Sequence, residues 1–169
     1  PVGLILSGGP ASVHAPNAPL PDPAIFDLGV PVLGICYGLQ VLAHMLGGRV
    51  APSPKREYGI AHLSHNDALG FFSGVDERTQ VWMSHGDVIE QLPAGFKAIG
   101  STDNCPYAAI ADPARALFGV QFHPEVAHTP QGRRIVSNFV HKTCGCGADW
   151  DMGSFAEIAT TDIRQRVGE

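Results

Sequence analysis

The segment Gly34-Ile35-Cys36-Tyr37-Gly38 limits what this chain can fold into more than any other, because it joins an apolar run to an amphipathic one. Residues 30–35 read as a strand. In residues 39–46, Leu39, Leu42, Ala43 and Leu46 recur at the i, i+3, i+4, i+7 spacing of one helix face, and Gly47-Gly48 supplies the stop. Strand, tight turn and helix in direct succession form a unit of α/β sheets. In thiol form the junction matches the G-x-S-x-G elbow, in which small neighbours allow a sharp turn that lifts a nucleophile above the strand end.

The rest of the chain fits the same class. Short apolar runs bounded by Gly and Pro predict further strands over residues 3–7, 60–63, 81–83, 98–101, 107–110 and 117–122, the later ones of antiparallel character. Helices are expected over 133–141 and 155–167. The pattern predicts an α/β fold with a mostly parallel central sheet flanked by helices and an additional antiparallel segment. The 169 residues suffice for one sizeable core, placed over residues 1–143. From Cys144 the composition turns to Gly, Asp and small residues, so 144–169 reads as a linker, with Trp150, Met152 and Phe155 expected to pack on something.

Charge and apolar patterning exclude whole classes of partner. A formal charge of −5, from Asp+Glu 16 against Lys+Arg 11, offers no attraction for nucleic acid or an anionic membrane. The apolar runs are strand-length and broken by Pro or Gly, so none predicts a membrane span. Four cysteines in this context point to free thiols in a reducing cytoplasm. The chain opens on Pro1 and runs at once into an apolar stretch, which leads one to expect sequence before it.

The elbow gives Cys36 a chemical role. A thiol at a helix N-terminus sits in the partial positive charge of unpaired N–H groups, which favours thiolate. A free cysteine is more often an inert packing residue, but the Gly-x-Cys-x-Gly junction reverses that reading. A nucleophilic cysteine needs a base and an orienting group, and Phe122-His123-Pro124-Glu125 offers both. If this stretch continues the preceding strand, His123 and Glu125 face one side and the carboxylate fixes the imidazole tautomer. Pro124 favours that extended geometry. In Leu6-Ser7-Gly8-Gly9-Pro10, glycines at a strand end allow the Gly9 N–H to face a ligand. With the N–H of Tyr37 it forms a candidate oxyanion hole.

At these residues the chain resembles the class I (triad) glutamine amidotransferases, whose marks are a Gly-rich oxyanion strand, G-x-C-x-G-x-Q and an H-P-E segment, here in that order. Within the family it is most similar to the GMP synthetase branch, through Leu6–Pro10, Gly34–Gln40, Trp82-Met83-Ser84-His85-Gly86-Asp87, Val120–Val126 and the tail with Cys144-Gly145-Cys146. The resemblance implies flavodoxin-like layers and a Cys36-His123-Glu125 triad that releases ammonia from glutamine. It implies substrate contacts from Gln40, Ser84, Gly86 and Asp87, the Asp87 carboxylate suiting an ammonium group. It also implies that a first strand and helix are absent here, and that an ATP pyrophosphatase domain follows in the same full-length chain. That domain would use ATP and Mg2+ to convert XMP to GMP, in an enzyme expected to be a homodimer. No cofactor or metal is expected in this domain itself.

Two other readings stand beside this one. The same fold carries cysteine hydrolases acting on γ-glutamyl compounds. A metal module is suggested by eight His with Cys144 and Cys146, but Cys-x-Cys lacks a second ligand pair at zinc-site spacing. His44, His62, His65, His128 and His141 read as surface or locally hydrogen-bonded residues, and Cys105 as packing. Arg56, Glu57 and Tyr58 are candidates for an interface with the partner domain, from their position in the resemblance.

Overall fold

The structure, a computed structural model, describes residues 1–66, 70–148 and 152–168. Seven strands, β1 (Leu4–Leu6), β2 (Val32–Ile35), β3 (Arg49–His65), β4 (Arg78–Gln91), β5 (Lys97–Ser101), β6 (Ala109–Asp112) and β7 (Leu117–Val120), form one sheet in the order β1-β2-β7-β6-β5-β3-β4. The β1–β2 and β2–β7 pairings are parallel and the other pairings antiparallel. The α/β architecture read from sequence is present, and the antiparallel segment makes up the larger share of the sheet.

Strand β2 explains the layering. All four of its residues are buried, as expected of a strand covered on both faces. On one face, Val32 packs with Leu39, Leu42 and Ala43 of helix α1 (Tyr37–Met45) and with Ile110 and Leu117. On the other, Leu33 and Ile35 join Phe71, Phe118 and Phe122. There Ile135 of helix α2 (Gly132–Ser137) and Phe139 of its π-helical continuation, Asn138–Thr143, close the layer. Each such side chain contributes about 1.5–3 kcal/mol when fully buried. The Asn138 side-chain amide donates to the Phe71 and Ser73 carbonyls at 3.0 and 2.9 Å, tying the widened turn to the neighbouring loop. Helix α1 stops where the sequence predicts. Gly47 takes φ +89°, and the Gly48 N–H donates to the Ala43 carbonyl at 2.8 Å.

Three expectations change in extent. The runs at 60–63 and 81–83 are parts of a long hairpin made of β3 and β4. Its register breaks where Pro52 lies opposite Asp87 and Glu57 opposite His85. Proline cannot donate to a ladder, so this end of β3 carries no alternating signal. The strand expected at 107–110 is Ala109–Asp112, with Tyr107 in the preceding turn. The last helix, α3, spans Met152–Val167. Of the tail residues expected to pack, Trp150 and the side chain of Met152 lie outside the described residues, and Phe155 is 52% exposed. Among the described residues no helix is long and apolar enough to cross a membrane.

Candidate active site

Cys36 stands between β2 and α1 with φ +51° and ψ −105°, backbone angles that cost a non-glycine residue about 1–3 kcal/mol. Two backbone bonds hold it there. Its N–H donates to the Val120 carbonyl at 2.8 Å, and its carbonyl accepts the Gln40 N–H at 3.2 Å. The flanking glycines serve close approach. A Cβ on Gly34 would meet the Gly38 carbonyl at 2.6 Å, and one on Gly38 would meet the Leu6 carbonyl oxygen at 2.0 Å. The strained residue is therefore the cysteine itself. Its thiol donates to the Ser84 carbonyl at 3.5 Å.

His123 and Glu125 meet by a route other than the one expected. Strand β7 ends at Val120, residues 121–122 are bends and Pro124-Glu125 a turn, so the strand expected to run on through Glu125 does not do so. The turn is imposed from outside. The His123 N–H donates to the Trp82 carbonyl at 3.0 Å. The buried Thr129 hydroxyl donates to the His123 carbonyl at 2.6 Å and accepts the Trp82 N–H at 3.0 Å. Gly132, at the start of α2, approaches Pro124 so closely that a Cβ would lie 1.9 Å from its carbonyl oxygen. Folded this way, Glu125 Oε1 lies 2.7 Å from His123 Nδ1. The interaction with Cys36 is the largest cause pushing the imidazole up to about 9, with Glu125 adding to it and burial opposing it.

Cys36 and His123 open into a cavity of about 550 Å³ that also takes in Gly9, Gln40, Ser84, Gly86 and Asp87. These residues, predicted from distant parts of the sequence, share one wall system. Tyr37 lies beside them, its ring 3.5 Å from where a Gly9 Cβ would be. As the first residue of α1 its N–H has no earlier turn to bond to, and its buried phenol, held above its ordinary pKa by desolvation, donates to the Pro19 carbonyl at 3.3 Å. Gln40 is buried and its amide nitrogen donates to the Asp87 carbonyl at 3.0 Å. Asp87 Oδ2 accepts the Ser12 hydroxyl at 2.5 Å.

Sequence reasoning passed over Ser12 and Thr129 at the site and read Arg56 and Tyr58 only as candidates for an interface. Ser12, Arg56, Tyr58 and His85 line the same cavity. Ser12 and Thr129 act through contacts far apart in sequence, which no local pattern announces. For His85 a signal existed: in β4 it is in phase with the buried Val81 and Met83, so it faces inward. Its Nε2 lies 3.2 Å from Glu57 Oε2 and its Nδ1 3.1 Å from the Asp87 carbonyl. Burial lowers its pKa, while Glu57 draws it back up. Glu57 in turn accepts from Asn104 Nδ2 at 3.3 Å. Cys105 packs in the core as expected, its thiol pushed up to about 12 by burial and by the Glu57 charge.

A thiol, an imidazole and a carboxylate on an elbow over a polar cavity match a known family. Residues 1–143 fit the model of the class-I glutamine amidotransferases. The chain belongs to this family. Among relatives of this amidotransferase domain, the glutamine-hydrolysing GMP synthase of Caldanaerobacter subterraneus subsp. tengcongensis is 52% identical over 168 residues, 99% of this chain and 33% of that protein. The GMP synthase of Azoarcus sp. is 50% identical over 177 residues, covering all of this chain and 34% of that protein. The domain thus spans about a third of the length of the curated relatives it matches. Among solved structures, a candidate GMP synthase subunit from Thermoplasma acidophilum superposes with a TM-score of 0.72 at 30% identity, over 94% of this chain and 76% of that one. A glutamine amidotransferase from Thermotoga maritima shares the fold at 19% identity, with a TM-score of 0.70 over 86% and 79% of the two chains.

Proposed function

We propose that this domain hydrolyses glutamine to glutamate and ammonia, and that the ammonia serves a GMP synthase reaction. The observation that carries the reading is Cys36, held at positive φ over the same cavity as His123, whose imidazole Glu125 orients at 2.7 Å. The Cys36 thiolate attacks the side-chain amide carbon, and the N–H groups of Gly9 and Tyr37 receive the oxyanion. The His123 imidazolium gives its proton to the departing nitrogen, ammonia leaves and a γ-glutamyl thioester remains. His123, neutral again and held by Glu125, takes a proton from water, and the resulting hydroxide releases glutamate and the thiolate.

The substrate is an amino acid, and the cavity has charges for both of its ends. The Asp87 carboxylate suits the α-ammonium and the Arg56 guanidinium the α-carboxylate. Ser84 and Gly86 flank them on β4, and Gln40 steadies Asp87 from below. The relatives are about three times the length of this chain, which supports a second domain in the longer protein, and there the reading has ATP and Mg2+ activate XMP to accept ammonia. Among the described residues, the cluster of metal-ligating side chains does not fit that cation. The triplet Glu57, His85 and Cys105, a cluster of metal-ligating side chains among the described residues, offers a thiol and an imidazole where Mg2+ takes oxygen ligands.

The test is glutamate release from glutamine by wild type and Cys36→Ala, with and without a synthetase domain loaded with XMP and ATP. Release should fall at least about a thousandfold in the variant and rise with the loaded partner. Hydrolysis of a γ-glutamyl peptide in preference to free glutamine would instead assign the thiol to another hydrolase of this fold.

A further inference from the structure

His85 stands between two acceptors. The Asp87 carbonyl lies 3.1 Å from Nδ1 and the Glu57 carboxylate 3.2 Å from Nε2. A carbonyl and an ionised carboxylate can only accept, and a neutral imidazole has one N–H to give. Either tautomer would therefore set a lone pair against an oxygen on one side. The His85 side chain is 1% exposed and that of Glu57 10%, so solvent is poorly placed to relieve the mismatch.

One further proton satisfies every contact. With Nδ1–H donating to Asp87, a proton between Nε2 and Glu57 Oε2 completes the bridge, whether it rests on the ring or on the carboxylate. We propose that Glu57 and His85 share this proton and, by holding it, position Asp87 in the substrate cavity as a determinant of glutamine affinity. The proposal rests on the glutamine-hydrolase reading. Asp87 is gripped at both ends: its carbonyl receives His85 and, at 3.0 Å, Gln40 Nε2, while its carboxylate receives Ser12. Glu57 is steadied by Asn104. Both are positioning residues.

The surroundings favour a shared proton over a free imidazolium. Around the pair, Cys105 after β5 lies within 4.8 Å of both partners, and Asp87 on β4, Arg56 on β3, His123 after β7 and Cys36 at the start of α1 line the same cavity as His85. Burial and the nearby His123 oppose a positive ring, and the Glu57 charge supports it. The proton then belongs to the pair. A soft metal ion is the other cation that could fill this place, since a Cys105 Sγ lies within 4.8 Å of both partners. That thiol, pushed up to about 12, resists the ionisation a metal requires.

The experiment uses two variants of Glu57. In Glu57→Gln the amide N–H can donate to Nε2 and replace the shared proton with one that does not titrate, while Glu57→Ala removes the bridge. Ring-nitrogen NMR of His85 and the KM for glutamine are followed against pH, with melting temperatures as a folding control. Wild type should hold a proton at both ring positions or on the bridge at the acid end of the pH range. Its KM should rise about tenfold as that proton is lost at higher pH, with kcat changing less. Glu57→Gln should flatten the rise and Glu57→Ala should raise KM at every pH. His123 titrates in all three proteins, so the differences isolate Glu57. Identical KM profiles in the three proteins, or zinc bound by wild type and lost in Cys105→Ser, would overturn the proposal. Absence of Cys36-dependent glutaminase activity would instead overturn the functional reading, and the NMR would still decide whether the proton is shared.

Discussion

A cysteine at φ +51° is an uncomfortable residue, and the bonds from Val120 and Gln40 are what keep it there. Its partner His123 is where the electrostatics gather. Because the interaction with Cys36 is the largest cause raising His123 to about 9, Cys36→Ala should return the ring toward 6.5, as ring-proton NMR against pH would read. The sign for stability follows. A raised folded-state value contributes stability that is complete below pH 6.5 and lost as pH rises through about 9. The urea midpoint of wild type should therefore fall more over that range than that of Cys36→Ala.

At the scale of elements, the machinery is divided. The parallel strands β1, β2 and β7 carry the nucleophile, and the β3–β4 hairpin carries the opposite wall of the cavity. The hairpin also holds the catalytic turn, through Trp82 and Thr129. Thr129→Val keeps the shape but strands the His123 carbonyl and the Trp82 N–H, so it should cost about 1–3 kcal/mol by urea denaturation and lower kcat without altering a residue of the cavity. The elbow was legible in sequence because Gly34, Cys36 and Gly38 meet a local steric demand. His123 and Glu125 were legible as a pair, but their conformation was not, since distant hydrogen bonds impose the turn. Ser12 on Asp87 and Glu57 on His85 join residues that only the completed sheet brings together.

For the whole molecule, two apolar layers on either face of one sheet leave helix α3 largely exposed. Ile158 and Ile163 are 62% and 61% exposed. Glu substitutions at both should change the melting temperature of this chain little, within about 0.5 kcal/mol each, because neither side chain is part of the core. A sheet flanked by helices was read from the alternation of strand-like and helix-like runs, and its layers from the resemblance. The arrangement that matters most for chemistry was not, because Ile35 pairs with Val120 across about half of the chain. That pairing has a consequence in time. Contacts so remote in sequence form slowly. A chain emerging from the ribosome carries Cys36 long before Val120, His123 and Glu125 exist to restrain and activate it. Until β7 docks, the thiol lacks its anchor on Val120 and its base, so competence to attack an amide arrives only with the finished sheet.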